Sequence, residues 1–212
     1  MEWINISVFI RQIKIGSSGS GKSTLGKDIG KVLGIEHLEE DSVQFTNNFA
    51  RLDDKVSQNI AFQFTKRNRE KGYVTDGSWV NLHGIILPQC NVLIFLDYSF
   101  FISFFRLVRR TFFRCYYSVN LWGLSDCKES FGQVFQFNSD SVIFHYLKSY
   151  FRFKFYGISK HRSLVKSDWK ENGFEKAAEV DDRDVWKGER IILHFTHPSE
   201  VELWLKSVQK NS

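Results

Sequence analysis

The sequence has few cysteines, and they are not arranged in a way that would staple a fold together. Its three cysteines, Cys90, Cys115 and Cys127, are odd in number and lack C-x-x-C spacing. A disulfide framework needs paired cysteines, and a cysteine-based zinc site needs closely spaced ligands. The pattern excludes both, and we expect free thiols in a reducing, cytoplasmic compartment.

The sequence also lacks a long uninterrupted apolar run. The nearest approach is residues 92–108, where Asp97 and Arg106 interrupt the apolar side chains. A membrane-spanning helix needs about 20 apolar residues, and central charges are costly there. The amino terminus carries Glu2 and has neither a basic region nor a small-residue cleavage site, so we expect no secretory signal peptide. We interpret residues 92–108 as a buried strand followed by a helix.

Aromatic residues and positive charge, by contrast, are abundant. The 212 residues include 21 Phe, and the formal net charge is +5. Residues 100–166 hold eleven Lys and Arg against three acidic residues, so the basic excess is concentrated there. A chain of this length suits one domain with a sizeable core. We predict a single nucleotide-binding domain over residues 1–212, with a basic, aromatic, helical lid or insert at about 100–166.

Strand and helix signals alternate along the rest of the chain, which predicts an α/β fold with a parallel sheet. The run at 92–96 is apolar throughout, as in a strand covered on both faces. Gly34 follows the first helix as a C-terminal cap, and Pro198 opens the last helix. We predict strands near residues 10–15, 35–38, 73–76, 92–96 and 190–195, and helices near 25–33, 52–71 and after 198.

A phosphate-binding motif stands between the first predicted strand and the first predicted helix. Gly16, Gly21, Lys22 and Ser23 fit the pattern G-x-x-x-x-G-K-[ST] at each required position. Glycines allow a tight loop whose backbone N–H groups point at phosphate oxygens, and the helix presents its positive end to the same anion. The alternative is a chance match in a glycine-rich turn. We predict that a nucleoside triphosphate contacts Gly16, Ser17, Ser18, Gly19, Ser20, Gly21, Lys22, Ser23 and Thr24.

A magnesium ion would accompany the phosphates, with the Ser23 hydroxyl as one ligand. The second group should be an acid at the end of a neighbouring strand. Asp76 is our prediction, although an Asp before Gly is also common in plain turns. Asp97 ends the fourth predicted strand and competes for the role, but a bulky helix and not a glycine turn follows it.

Several segments together resemble the adenylate-kinase-like P-loop kinases, most closely the branch labelled DNA topology modulation protein. The resemblance implies a three-layer fold with a five-stranded parallel sheet and the P-loop on its central strand. It also implies ATP, Mg²⁺, phosphoryl transfer and an arginine-bearing lid. The matching segments are residues 16–24, 37–41, 74–79, 87–97, 106–110, 121–123, 128–131 and 197–201.

The resemblance places the first lid arginines at Arg106, Arg109, Arg110 and Arg114. Residues 106, 110 and 114 share one helix face, and four apolar residues lie opposite. We predict that the helix docks by this apolar side and leaves a row of guanidinium groups for phosphate, with Arg106 and Arg110 catalytic beside Lys22. The apolar residues of this face are Phe101, Phe105, Val108 and Phe112. The alternative is that the arginines only form a solvated basic face.

The sequence departs from adenylate kinase itself where the acceptor phosphate would bind. No arginine follows Asp76–Gly77, and the only basic residue nearby is His83. Asp41, beyond the second strand, is the predicted catalytic carboxylate that orients an acceptor hydroxyl, with Glu39 and Glu40 as neighbouring alternatives.

Two further sequence patterns have both a functional and a structural interpretation. His194 and His197 are three apart, but a strand ending between them would send their side chains to different faces, so we expect no metal there. Aromatic and basic residues interleave over 150–156, as in single-strand binding surfaces, although they also suit the core of a lid helix. The main prediction is a P-loop kinase acting on a nucleotide, nucleoside or metabolite. The alternative is a nucleotide-dependent ATPase that binds nucleic acid or a protein.

Overall fold

The computed structural model describes residues 19–77, 79–134, 141–152, 180–187 and 190–211. These residues alternate between helices and strands, as the sequence predicts. The predicted strand at 10–15, the start of the phosphate loop at 16–18 and residues 153–179 lie outside the described residues. The elements are α1 (Lys22–Leu33), β1 (Glu36–Glu39), α2 (Asp54–Arg67), β2 (Tyr73–Asp76), α3 (Val80–Ile86), β3 (Val92–Leu96), α4 (Phe100–Tyr116), α5 (Phe131–Val134), α6 (Val142–Arg152), β4 (Ile191–Phe195) and α7 (Pro198–Asn211).

The strands form two parallel pairs. In the first pair β1 lies beside β2, with Glu39 opposite Asp76 at the carboxyl ends. In the second pair β3 lies beside β4, with Leu96 opposite Phe195. The prediction of an α/β fold with parallel strands is confirmed. The five-stranded sheet remains a prediction, because the described residues contain two pairs and the fifth strand was predicted at 10–15.

The main core lies between α1, β3 and α7. Leu25 and Ile29 of α1 and Trp204 of α7 pack against alternate residues of β3. The other face of β3, with Leu93 and Phe95, packs into a second cluster. All five residues of β3 are buried, which confirms the strand covered on both faces. Burial of this kind holds the loop before α1 and the ends of the strands at fixed separations.

The described part of the predicted insert contains the helices α4, α5 and α6, but α4 does not dock as predicted. Phe101, Phe105 and Phe112 are exposed, and Val108 is 38% exposed. The buried residues of α4 are Ser103, Leu107 and Thr111, which recur every four positions and so share one face. This correction has a steric cause. A Cβ atom at Gly19 would lie 2.5 Å from the Ser103 carbonyl oxygen and 3.2 Å from the Leu107 Cβ. Small residues on α4 let its backbone approach the glycine loop.

The second helix shows a similar difference. The sequence predicts a face of Leu52, Val56, Ile60 and Phe64, but Val56 and Ile60 are exposed. Phe64 of the predicted face is buried, and the other buried residues of α2 are Ser57, Ala61 and Thr65. It begins at Asp54, where the Asp53 side chain accepts a hydrogen bond from Lys55 N. None of the helices in the described ranges has the length and apolar content that a membrane crossing requires.

Candidate phosphate-binding site

The amino end of α1 is built as the sequence predicts from Gly19 onwards. Gly19 has φ 79° and Gly21 has φ 94°, a left-handed conformation that glycine adopts without penalty. Gly21 caps α1 without any side-chain hydrogen bond. The backbone N–H groups of a first helical turn carry the positive end of the helix dipole, and here no capping side chain competes for them. The end of α1 is therefore suited to an anion.

Ser23 and Asp76 meet beside this helix end. The Ser23 hydroxyl donates a hydrogen bond of 2.5 Å to Asp76 Oδ2. Asp76 is buried at the carboxyl end of β2, and its other oxygen, Oδ1, lies 3.1 Å from His37 Nε2. A hydroxyl and a carboxylate are the oxygen ligands that Mg²⁺ takes from a protein when phosphates and water complete its shell. The donor chemistry of this pair therefore fits a magnesium ion, which the structure does not contain.

Asp97, the competing acid, is engaged elsewhere. Its Oδ2 lies 3.2 Å from His194 Nε2, at the end of the β3–β4 pair. His197 Nδ1 lies 2.8 Å from the Ser199 hydroxyl instead. No cluster of three or more metal-ligating side chains occurs among the described residues.

Lys22 interacts electrostatically with the carboxylates of Asp76 and Asp41. Burial lowers the pKa of its ammonium group, while Asp76 and Asp41 act against that shift by attracting the charged form. The ammonium group therefore lies close to both predicted acids. Lys22, Ser23 and Asp76 form one constellation at the start of α1.

The three consecutive acids after β1 have different surroundings. Glu39 pairs with Lys27 at 3.4 Å. Glu40 is fully buried, packs against Gly77 and accepts a hydrogen bond of 3.1 Å from the Trp79 backbone N–H. Asp41 accepts a hydrogen bond of 2.7 Å from Trp79 Nε1. Burial raises the pKa of Asp41, and the Trp79 hydrogen bond and Lys22 only partly oppose it.

The arginines of α4 face the same space. A Cβ atom at Gly21 would lie 3.6 Å from Arg106 NH1, and the Arg106 guanidinium lies over the Tyr98 ring at 5.5 Å. Burial raises the pKa of Tyr98 to about 12. Desolvation and the neighbouring Arg114 lower the pKa of Arg110 to about 10, so it stays charged at neutral pH. Arg114 pairs with Glu129 at 3.2 Å.

A cavity of about 680 Å³ opens between these elements. The start of α1 and the arginines of α4 line it. α7 contributes the apolar side chains of Pro198, Val201 and Leu205, together with Glu202. A volume of this size is in the range of small-molecule sites. The predicted site residues that line the cavity are Gly19, Ser20, Gly21, Lys22, Ser23, Thr24, Arg106 and Arg110.

Some predicted site residues are not part of this picture. Gly16, Ser17 and Ser18 lie outside the described residues. Neither Asp41 nor Asp76 lines the cavity. The structure relates Asp41 to the site through Lys22 and Arg110, and Asp76 through its hydrogen bond from Ser23. In the segment predicted to interleave aromatic and basic residues, Tyr150 belongs to a buried cluster with Leu107 and Tyr146, and residues 153–156 are not described.

Sequence reasoning missed His37, Tyr98 and Trp79. His37 lies in β1, the parallel neighbour of β2, two residues before the strand ends opposite Asp76. A polar residue inside a strand that pairs with an acid-ended strand was an available signal. Tyr98 and Trp79 each follow a strand closely, but their contacts depend on loops that come from distant parts of the chain.

Comparisons with known proteins give weak likenesses only. No protein-family model matches the chain, and no curated protein matches it. Among solved structures, an unliganded sugar kinase from Janibacter sp. HTCC2649 superposes with a TM-score of 0.45 at 11% identity, covering 96% of this chain and 94% of that one. An uncharacterized protein from Eubacterium ventriosum ATCC 27560 gives 0.41 at 14% identity, with coverages of 95% and 99%. A protein of Chloroflexus aurantiacus j-10-fl, proposed to be a kinase, gives 0.38 at 10% identity, with coverages of 96% and 99%.

Proposed function

We propose that this chain is a P-loop phosphotransferase that binds ATP with Mg²⁺ and transfers the γ-phosphoryl group to a small acceptor. The observation that carries the proposal is the constellation at the amino end of α1. Left-handed Gly19 and Gly21, Lys22, and a Ser23 hydroxyl bonded to Asp76 stand together at one end of a cavity walled by arginines. Each of these groups has a separate role toward a polyphosphate.

The phosphates would lie across the start of α1. Backbone N–H groups of the loop and helix would bind the phosphate oxygens, and the Lys22 ammonium group would neutralise their charge. Ser23 and Asp76 would hold the magnesium ion, which supplies charge neutralisation at the phosphates when bound. The nucleoside would extend along the cavity toward the apolar side chains of Pro198, Val201 and Leu205. The cavity volume and its mixed polar and apolar walls support this placement.

Phosphoryl transfer would use the groups on the two sides of Lys22. The acceptor hydroxyl oxygen attacks the γ-phosphorus, the bond from that phosphorus to the β–γ bridging oxygen breaks, and ADP leaves. Asp41 accepts the hydroxyl proton, and its raised pKa suits this task. Arg106 and Arg110 offset the charge that develops on the transferring group. We propose an acceptor that offers a hydroxyl, whether nucleotide, nucleoside or metabolite.

The finer assignments from sequence belong to the same proposal. They are an adenylate-kinase-like chain closest to the DNA topology modulation branch, and one domain over residues 1–212 with a lid at about 100–166. They also include a five-stranded parallel sheet whose central strand is predicted at 10–15, and a cytoplasmic location. The two parallel strand pairs and the helices α4 to α6 support the fold-level part of this proposal.

A screen with γ-labelled ATP and GTP tests the enzymatic part. Nucleosides, mononucleotides and small hydroxylated metabolites are offered as acceptors to the wild type, Lys22→Ala and Lys31→Ala. Lys31 lies in the same helix but is exposed at its far end, so it serves as the matched control. We expect labelled product with the wild type and the Lys31 variant, and none with the Lys22 variant. Loss of labelling in both variants, or none with the wild type, would contradict the proposal.

The second candidate is a nucleotide-dependent binding protein for nucleic acid or a protein partner. The observation that favours it is the exposed aromatic side of α4, where Phe101 and Phe105 are 69% and 67% exposed next to the arginines. Aromatic stacking beside positive charge is how single strands are held. Fluorescence anisotropy with labelled single-stranded DNA and RNA at increasing salt tests it. A salt-sensitive complex that needs ATP and is weakened by Phe105→Ala would favour this candidate over the kinase.

A further inference from the structure

His37 is a buried imidazole that the proposed chemistry does not yet use. It lies in β1 with its Nε2 atom 3.1 Å from Asp76 Oδ1. The two side chains are 10% and 2% exposed. An ionised carboxylate only accepts hydrogen bonds, so His37 Nε2 carries the proton and donates it. Asp76 therefore has a different donor on each oxygen: His37 on Oδ1 and the Ser23 hydroxyl on Oδ2.

The first helix is shaped to admit this imidazole. Gly26 lies in the interior of α1, where a Cβ atom would overlap the His37 ring at Nε2 and at Cδ2. Glycine inside a helix costs about 1 kcal/mol relative to alanine. Helix propensity alone would favour alanine at this position, so the fit of the ring explains the glycine. The same helix thus carries the Ser23 hydroxyl on one turn and the space for His37 on the next.

We propose that His37 is a positioning residue for the magnesium side of the site. The inference rests on the proposed function, because it gives Asp76 the role of a metal-holding acid. The terminal torsion of an aspartate side chain has a broad, roughly two-fold energy profile. A carboxylate held by one donor can therefore rotate, whereas donors on both oxygens fix its plane. His37 holds Asp76 so that Oδ2 stays directed at Ser23.

Groups that orient a metal-holding side chain without touching the metal affect metal affinity by about 10–100-fold. We therefore expect His37→Leu to raise the Kd of the metal by about 10–100-fold. His37→Gln, which can place a side-chain N–H near the same point, should restore most of the affinity. Gly26→Ala should reproduce the loss with His37 still present, because the added methyl group displaces the ring. Nucleotide affinity without metal should change little in all three variants, since the loop backbone and Lys22 are intact.

The measurement is titration of Mn²⁺, followed by electron paramagnetic resonance, into protein saturated with a non-hydrolysable ATP analogue. Affinity for the analogue in the presence of EDTA is measured separately. The matched control is His194→Leu, which breaks the other imidazole–carboxylate pair, at 3.2 Å to Asp97, away from this constellation. We expect metal affinity in the control to equal that of the wild type. Circular dichroism shows which variants fold.

The outcomes separate this inference from the function on which it rests. If the wild type binds the analogue more tightly with metal, but folded His37→Leu has unchanged metal affinity, the positioning role is wrong and the P-loop proposal stands. If the wild type binds no analogue under any condition, the proposed function itself fails. Should His37→Leu not fold, His37→Asn takes its place, because its shorter side chain does not reach Asp76 Oδ1. Unchanged metal affinity in that variant would likewise overturn the inference.

Discussion

Helices α1 and α4 meet at the candidate site, but they dock in opposite ways. α1 buries the apolar residues Leu25 and Ile29, as its sequence pattern predicts. α4 leaves Phe101 and Phe105 exposed and docks through Ser103, Leu107 and Thr111. The difference lies in the partner surface. α1 packs against side chains of β3 and α7. α4 passes close to the backbone of Gly19 at Ser103 and packs Leu107 against Tyr146 and Tyr150 of α6.

This difference in docking determines where the arginines of α4 lie in the candidate site. Because α4 docks by the face of Ser103, Leu107 and Thr111, the guanidinium groups of Arg106 and Arg110 turn toward the start of α1 and line the cavity. Docking by the exposed phenylalanines would have turned this face of α4 differently. The buried face of α4 therefore helps to position the arginines in the candidate site.

The largest effect should come from truncating a buried side chain of α4. We expect Leu107→Ala to lower the free energy of unfolding by about 2–5 kcal/mol, because Leu107 is 2% exposed and its loss leaves a cavity. Phe105→Ala, on the exposed face, should stay within about 0.5 kcal/mol. Urea unfolding of both variants measures the difference. Equal losses would mean that the phenylalanine face is covered, and the contrast between α1 and α4 would be lost.

A smaller effect is expected at the contact between the two helices. Gly19→Ala would force a side chain into a left-handed conformation and against the Ser103 carbonyl, at a cost of about 2–4 kcal/mol. Gly34→Ala shares the left-handed backbone, at φ 65°, but nothing lies within 4 Å of the new methyl group. Its cost should be about 1 kcal/mol. Thermal or urea unfolding compares the two. If the two variants lose equal stability, the close approach of α4 is not the reason for glycine at position 19.

The arginines should separate by their surroundings. Arg110→Ala should lower phosphoryl transfer about 10–100-fold, as expected for one charged hydrogen bond of about 1.5–3 kcal/mol. Arg109→Ala should have a smaller effect. Arg110 interacts electrostatically with Lys22 and Asp41, whereas the Arg109 guanidinium, which also lines the cavity, lies over the Phe113 ring at 5.7 Å. Steady-state kinetics with the acceptor found in the screen measures both. A larger loss of phosphoryl transfer in Arg109→Ala than in Arg110→Ala would show that Arg109, and not Arg110, has the phosphate-facing role.

The smallest effect concerns the stability contributed by Asp41. Burial raises its pKa above the ordinary 3.8, so ionisation is less favourable in the folded chain than in the unfolded chain. The folded state therefore loses stability as pH rises from the unfolded value through the raised value. Asp41→Asn removes this loss and keeps an oxygen for the Trp79 indole.

We accordingly expect Asp41→Asn to be more stable than the wild type at neutral pH. The difference should shrink as pH falls through the raised pKa of Asp41 and vanish below about 4. Urea unfolding at a series of pH values measures this. Phosphoryl transfer by the variant should be weakened at the same time, since the proton acceptor is gone. A variant less stable than the wild type at neutral pH would show that Asp41 is stabilised by Lys22 more than burial opposes it.

The sequence alone predicted the local elements well, and the physical reason is that their signals are local. The glycine pattern before Lys22 predicted a tight loop, and Gly19 and Gly21 have φ values of 79° and 94°, which few other residues adopt. The unbroken apolar run at 92–96 predicted a strand buried on both faces. The glycine turn that follows Asp76 favours it over Asp97 as the acid that holds the metal, and this assignment stays a prediction. The contact between Ser23 and Asp76 is the structural observation that supports it.

Only the tertiary structure decided which faces of α2 and α4 are buried and which acids stand beside Lys22. Hydrophobic periodicity predicts that the most apolar face docks, but α4 docks where backbones approach most closely, and that depends on Gly19 from a distant segment. The donor that His37 supplies to Asp76 depends on the register of β1 beside β2, which no local pattern contains. The glycine motif before Lys22 and the buried strand at 92–96 were therefore determined by the sequence itself. The orientation of the arginines and the second partner of Asp76 were determined by packing between segments far apart in the chain.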